Sequence, residues 1–259
     1  MDSNSNTKEM HKEMLGILLY IHNTLSREGL WYSLGCGTVL GAVREKGFIE
    51  WDKDADIYIK LPDRERIRKV LKDNMPDDYE YIDASKDNVG CFDNIKSKRY
   101  GTLAAVDLYP LIGAPNIEEW SEKKIRRLMF RNMILVKLTC AKYEDYRKLG
   151  KKYKVIPFII VKGLLHLIPN SFIRRVVDKY EHEYDYNRAK KCYAIVSYLR
   201  PSEILNKEVY ENVELYSFEG KQFYIPSDFD TYLKARYGAT YMIPSRKNNS
   251  SFKFKKHSW

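Results

Sequence analysis

Four cysteines in 259 residues, Cys36, Cys91, Cys140 and Cys192, stand far apart with no Cys-x-x-Cys pair among them. That scatter excludes a thiolate zinc site and a disulfide scaffold, and it fits a reducing compartment. Histidine is also sparse: His11, His22, His182 and His257 form no metal-ligand spacing. His166 alone sits in an apolar segment and reads as a packed or interfacial side chain rather than a catalytic one. Long hydrophobic runs are missing too. As a helix, Val155 to Pro169 spans roughly 22 Å, short of the ~30 Å hydrocarbon core, and Lys162 and His166 interrupt it, so it is no transmembrane span. The stretch from Met1 to Met14 is polar and does not resemble a secretory signal, so a cytoplasmic protein is expected. There is no internal repeat and no low-complexity segment.

Acidic residues are nearly absent from one part of the chain. Between Lys123 and Arg175 there are 15 Lys or Arg against only Glu144 and Asp145, while the whole chain carries +10, so the remainder is slightly acidic. The apolar stretch 155–169 lies within this basic segment and has two readings. One is a buried core helix. The other is an interfacial segment whose flanks, Lys151, Lys152, Lys154, Arg174 and Arg175, meet anionic lipid head groups at the inner face of a membrane. No acid follows Asp230, whereas Lys234, Arg236, Arg246, Lys247, Lys253, Lys255 and Lys256 do. Such a tail suits a diphosphate, a nucleic-acid backbone or an anionic acceptor.

What the chain does possess is a Gly-rich turn, Leu34-Gly35-Cys36-Gly37-Thr38, followed by Asp52-Lys53-Asp54-Ala55-Asp56-Ile57-Tyr58-Ile59. Ile57 to Ile59 predicts a strand, which places Asp54 and Asp56 on one face because alternate side chains share a side. Two like charges there repel, and a cation between them removes that cost. Hard oxygen ligands suit Mg²⁺ or Mn²⁺. Asp52 has the same parity but falls in the preceding loop, which gives it a supporting position. Gly35 and Gly37 permit positive φ and close backbone approach, and Thr38 is a candidate cap for a helix through Val43, whose amides attract phosphate. Asp107 lies inside the apolar run Ala104 to Pro110, where an unpaired carboxylate is costly; it either meets the same metal or caps something local.

The run Gly37 to Arg44, continuing through Gly47-Phe48-Ile49 to Trp51 and Asp56, resembles the signature of the LicD family, which includes bacterial phosphocholine transferases and fukutin-related proteins. The likeness continues at Val106 to Pro110, then at Phe218 to Lys221, Ile225-Pro226, Tyr232-Leu233, Tyr237-Gly238 and Pro244. It implies a fold like that of DNA polymerase β-type nucleotidyltransferases. By position, Gly37 and Thr38 match the phosphate-binding turn, Asp54 and Asp56 the metal pair, and Asp107 the third carboxylate; Arg44 is a weaker phosphate contact. The chain departs from the family pattern at Cys36, Glu50, Lys53, Ala55, Ala239 and Thr240, none of them an expected metal ligand.

The resemblance implies a CDP-linked donor, a glycan or lipid-linked glycan acceptor and release of CMP, with no nucleic acid as partner. Two other functions share the same residues. One is a nucleotidyltransferase that transfers NMP and releases pyrophosphate. The other is a catalytically silent basic module that binds anionic lipid or polymer.

The expected architecture is a mixed α/β fold: a nucleotidyltransferase-like sheet flanked by helices, with a basic helical insertion. One catalytic domain over 1–259 is expected, with its core at 28–110, the basic helical region at 120–200 and a hairpin and helix at 215–245. Apolar spacing predicts a helix over Lys8 to Arg27 and another over Asp63 to Asn74. Strands are predicted near Trp31 to Leu34, Tyr79 to Ile82, Cys91 to Lys96 and Leu103 to Tyr109. A hairpin is predicted at Ser217 to Ile225 with Gly220 in its turn. The helix after it takes Ser227 or Asp228 as cap and ends at Gly238.

Overall fold

The computed structural model of the chain describes residues 3–86, 90–143, 163–164, 167–196 and 199–244. The first helix, α1 (Ser3–Arg27), buries Met14, Ile17, Leu18, Ile21 and Leu25. These positions recur every three or four residues and form one stripe, which packs on the central sheet. Next come β1 (Tyr32–Leu34), α2 (Cys36–Arg44), β2 (Ala55–Lys60) and α3 (Arg64–Asp73), the last entered through a 3₁₀ turn at Leu61–Asp63. Strands β3 (Tyr79–Ile82), β4 (Asp93–Ser97) and β5 (Gly101–Ala114) follow, then helices α4 (Glu122–Tyr143) and α5 (Asn170–Glu181). The chain continues with β6 (Lys191–Ala194), β7 (Leu205–Asn206), α6 (Lys207–Glu211), the hairpin β8 (Val213–Phe218) and β9 (Lys221–Pro226), and α7 (Phe229–Tyr237).

The fold is mixed α/β, with a seven-stranded sheet ordered β1-β2-β5-β4-β3; β6 pairs with the last residues of β5, and β7 with β6. One pairing is parallel, β2 with β5, and it sets Asp56 directly opposite Asp107. Ile57, Tyr58 and Ile59 are all buried, so β2 is covered on both faces and reads as a continuous apolar run.

The hairpin turn places Glu219 at φ +52° and Gly220 at φ +69°, two successive left-handed residues as a type I′ connection demands. In α7 the Asp228 carboxylate accepts the Thr231 amide at 3.3 Å, and Gly238 ends the helix at φ +91°. Both ends are as the sequence predicts. Strand β5 extends beyond the predicted 103–109, with Pro110 inside it; β6 lies within the region expected to be helical, and β7 lies where no element was predicted. No helix among the described residues is long and apolar enough to cross a membrane. Most of 155–169 and its basic flank at 151–154 lie outside the described residues.

Buried ion pairs tie the helices to the sheet. Arg64 on α3 grips Glu181 on α5 with two hydrogen bonds of 2.7 and 2.8 Å, and Arg174 adds a third at 2.7 Å. Arg68 makes a second two-pronged contact, with Asp93 at the start of β4.

Helix α2 meets the following loop very closely. A Cβ built on Gly41 falls 2.4 Å from the carbonyl oxygen of Gly47. Helix propensity alone favours Ala over Gly by about 1 kcal/mol. Backbone cannot yield as a side chain does, so Gly41→Ala is expected to destabilise by about 1–3 kcal/mol. Chemical denaturation checks this, and a stabilised variant would contradict the packing.

Candidate active site

The Gly turn is built differently from the sequence-level expectation. Neither Gly35 nor Gly37 is left-handed: Gly35 has φ −128°, and the positive φ (+44°) falls on Cys36. The glycines serve close approach instead. A Cβ on Gly35 would lie 2.9 Å from the Tyr58 ring, and one on Gly37 would lie 2.6 Å from the Asp52 carboxylate. Thr38 is not the helix cap either. Gly35 holds that position without a side-chain bond, while the Thr38 hydroxyl, inside the helix, accepts the Asp56 amide at 2.8 Å. Its role is to fix the start of β2 against α2. The Gly35 amide donates to the Asp56 carbonyl at 2.8 Å, so Asp56 is held through both of its backbone groups.

Two tyrosines complete this anchor, Tyr58 from the predicted strand and Tyr232 from the Tyr232-Leu233 motif, to neither of which the sequence assigned this role. The Cys36 amide donates to the Tyr232 hydroxyl at 2.8 Å, and the Tyr58 and Tyr232 hydroxyls are 2.7 Å apart. The first amide of α2 is thereby used. Those of Gly37 and Thr38 have no acceptor within the helix, as at any helix N-terminus.

The acids gather beside this turn. Asp56 is 7% exposed, Asp52 and Asp107 are half-buried, and Asp54 is exposed in the loop just before β2. Asp54 is the common neighbour, since its charge acts on all three of the others. Burial, then the charges of Asp54 and Asp107, push Asp56 well above the usual carboxylate range; Arg236 opposes that shift. Burial and Asp54 likewise raise Asp107 to about 7, against a hydrogen bond from the Tyr109 hydroxyl. Asp52 is pushed up to about 7 by burial, the Asp54 charge and a hydrogen bond with Asp54. Three carboxylates whose ionisation is opposed by burial and by the Asp54 charge form a place where positive charge is needed.

Arg236 supplies part of it. It stands in the basic C-terminal run, and only the fold brings it near Asp56, where it is held by Glu203 and the Tyr237 hydroxyl. Arg44 is not brought there. It ends α2, about 12 Å along the axis from Cys36, where it binds Glu45 at 2.7 Å and the Tyr241 carbonyl at 3.2 Å.

The donor set fits a hard divalent cation, which needs only one or two protein carboxylates and takes its remaining ligands from water and phosphate. Asp56 and Asp107, opposite one another on neighbouring strands, provide such a pair, with Asp54 beside them. These acids do not close as tightly as Asp178, Glu181 and His182, whose ligand atoms all lie within 4.8 Å of one another. That second cluster is already neutralised, because Arg64 and Arg174 occupy Glu181 and Arg174 also binds Asp178. It is an ion-pair network.

The raised acids carry a pH prediction. Asp52 and Asp107 hold protons up to about 7 when folded, against 3.8 ordinarily, so the folded state carries more protons between about pH 4 and 7. Stability of chelator-treated protein therefore falls as pH rises through that window. Mg²⁺ at a hundred times its Kd is expected to restore about 2.7 kcal/mol at pH 8, and much less at pH 5. Melting curves at both pH values test this, and identical curves with and without Mg²⁺ at pH 8 would contradict it.

Comparison with known proteins agrees with the geometry. Residues 29–144, which hold the turn and all four acids, match the family model described as the LicD/FKTN/FKRP nucleotidyltransferase domain. The chain is also 24% identical, over 93% of its own length and 93% of the relative's, to the lipopolysaccharide cholinephosphotransferase LicD of Haemophilus influenzae. The stretch that holds the turn and the acids, residues 29–144, is thus similar to the nucleotidyltransferase domain of the LicD family.

Proposed function

We propose that the protein transfers a substituted phosphoryl group, phosphocholine before others, from a CDP-linked donor to a hydroxyl of a cell-surface glycan or its lipid-linked precursor. The observation that carries this reading is the register of β2 and β5, which sets Asp56 against Asp107 beside an α2 N-terminus with available amides. The choice of group and acceptor is supported by the similarity to the H. influenzae cholinephosphotransferase along nearly the whole chain.

In this reading the acceptor oxygen forms a new bond to the phosphorus that bears choline. The phosphorus–oxygen bond to CMP breaks, CMP departs with that electron pair, and the acceptor's proton is released. Such transfer asks the protein mainly for positioning and charge neutralisation. Asp54, Asp56 and Asp107 are the ligands proposed for Mg²⁺ or Mn²⁺, which when bound neutralises charge on the diphosphate. The amides of Gly37 and Thr38 donate to phosphate oxygens, and Arg236 adds fixed positive charge behind Asp56. Asp52 supports Asp54. Asp107, raised to about 7, also has a proton affinity suited to a general base. Loss of a ligand weakens or abolishes metal binding, whereas loss of a base spares it, so metal titration of Asp107→Asn separates the two roles.

The test is product identity with Mg²⁺, membrane glycolipid and, in turn, CDP-choline, CDP-ribitol and CDP-glycerol. CMP is expected with one donor, CDP-choline first. Pyrophosphate from a nucleoside triphosphate, with no CMP from any CDP conjugate, would instead establish an NMP transferase.

A further inference from the structure

A groove of about 620 Å³ opens between the first turns of α1 and the loop that leads to the aspartates. Its volume lies within the range of roughly 300–1,000 Å³ usual for ligand sites. Lys8, His11 and Lys12 of α1 line it together with Phe48, Glu50 and Glu219. The His11 and Phe48 rings stack at 4.4 Å between centroids and 11° between planes, giving the groove an aromatic wall. His11 also binds the Asp52 carbonyl through Nε2 at 2.8 Å. A carbonyl only accepts, so Nε2 carries the hydrogen. His11 thus links the groove's lining to the backbone of Asp52, whose carboxylate belongs to the acidic cluster.

We propose that this groove is the acceptor subsite and that it takes a phosphorylated sugar. The inference rests on the transferase reading above and adds the acceptor's chemistry and place. An aromatic wall suits the apolar face of a sugar ring, and the carboxylates of Glu50 and Glu219 suit its hydroxyls. Lys8 and Lys12 select for the phosphate. They are exposed, stand one turn apart on α1 and form no ion pair among the described residues. Like charges at that spacing repel, and an anion held between them relieves the repulsion.

The test titrates glucose 6-phosphate, glucose and inorganic phosphate, each alone, into the full chain, with saturation-transfer NMR as the readout. Glucose 6-phosphate is expected to bind at least tenfold more tightly than either fragment. The double variant Lys8→Glu/Lys12→Glu, altered only at exposed positions, should lose that binding at least tenfold while keeping CDP-choline affinity within twofold. Undiminished glucose 6-phosphate binding in the variant, or inorganic phosphate binding as well as the sugar phosphate, overturns the subsite. Its failure is separable from failure of the transferase reading. CMP release by a wild-type protein that ignores glucose 6-phosphate sinks only the groove, whereas binding with no CMP from any donor sinks the transfer.

Discussion

Asp56→Asn is expected to lower transfer at least about a thousandfold, a loss of about 4 kcal/mol of transition-state stabilisation. The substitution keeps the side chain's shape and removes its charge. The backbone of Asp56 stays fixed by the Thr38 hydroxyl and the Gly35 amide, so the strand has no cause to move. Indeed, burial and the neighbouring acids make the Asp56 charge a burden on the metal-free fold. Asn should therefore leave the melting temperature equal or higher, and inactivity joined to undiminished stability separates a catalytic role from a structural one. A variant that is as active as wild type would remove the metal mechanism, and one that is inactive only because it unfolds would move Asp56 into the scaffold.

The reverse pattern is expected at Asp93. Its fully buried carboxylate accepts four hydrogen bonds: two from Arg68 and one from the Tyr81 hydroxyl, at 2.8, 2.8 and 2.9 Å, and one from the Ala84 amide at 2.8 Å. Asp93→Ala leaves the Tyr81 phenol and the Ala84 amide without this acceptor, and leaves Arg68 only Glu65 and Asp83 as acidic partners. Breaking one side of a buried ion pair costs about 3–5 kcal/mol, so denaturant unfolding should show at least that loss. The residue sits at the start of β4, where Asp93 is opposite Leu108 in the strand that carries Asp107. Whatever fraction remains folded should bind Mg²⁺ normally. A loss under 1 kcal/mol would mean that the carboxylate's desolvation offsets its four bonds.

The local pieces of the fold were legible because the physics that makes them is local. Periodic apolar residues foretell α1, and Gly220 and Gly238 foretell a turn and a helix end. Asp52, Asp54, Asp56 and Asp107 were singled out by parity and by the cost of burying Asp107, and the structure places them near enough for the Asp54 charge to act on the other three. What the sequence hid is long-range or a matter of local packing. Arg236 looks like one of many cations in a basic run, and its place near Asp56, far back along the chain, depends on α7 packing beside α2. Tyr58 and Tyr232 stand in the predicted strand and in the family motif, but the contact between their hydroxyls joins residues far apart in the chain. Thr38 was misassigned as a cap because a Thr after Gly reads as a helix start, whereas the helix is capped three residues earlier, at Gly35, with Cys36 in the left-handed region. Strand β6 escaped because Lys191 to Ala194 is short and carries no alternation; it exists by pairing with the end of β5.

The measurement that bears most directly on the central claim is Mn²⁺ binding followed by electron paramagnetic resonance in wild type, Asp54→Asn, Asp56→Asn and Asp107→Asn, with and without CDP-choline. Wild type should bind Mn²⁺ and bind it more tightly with CDP-choline present, with the site lost in Asp56→Asn and weakened at least tenfold in Asp54→Asn. Equal Mn²⁺ binding in wild type and Asp56→Asn would contradict the account, since no cation would then be held where the two strands bring their aspartates together.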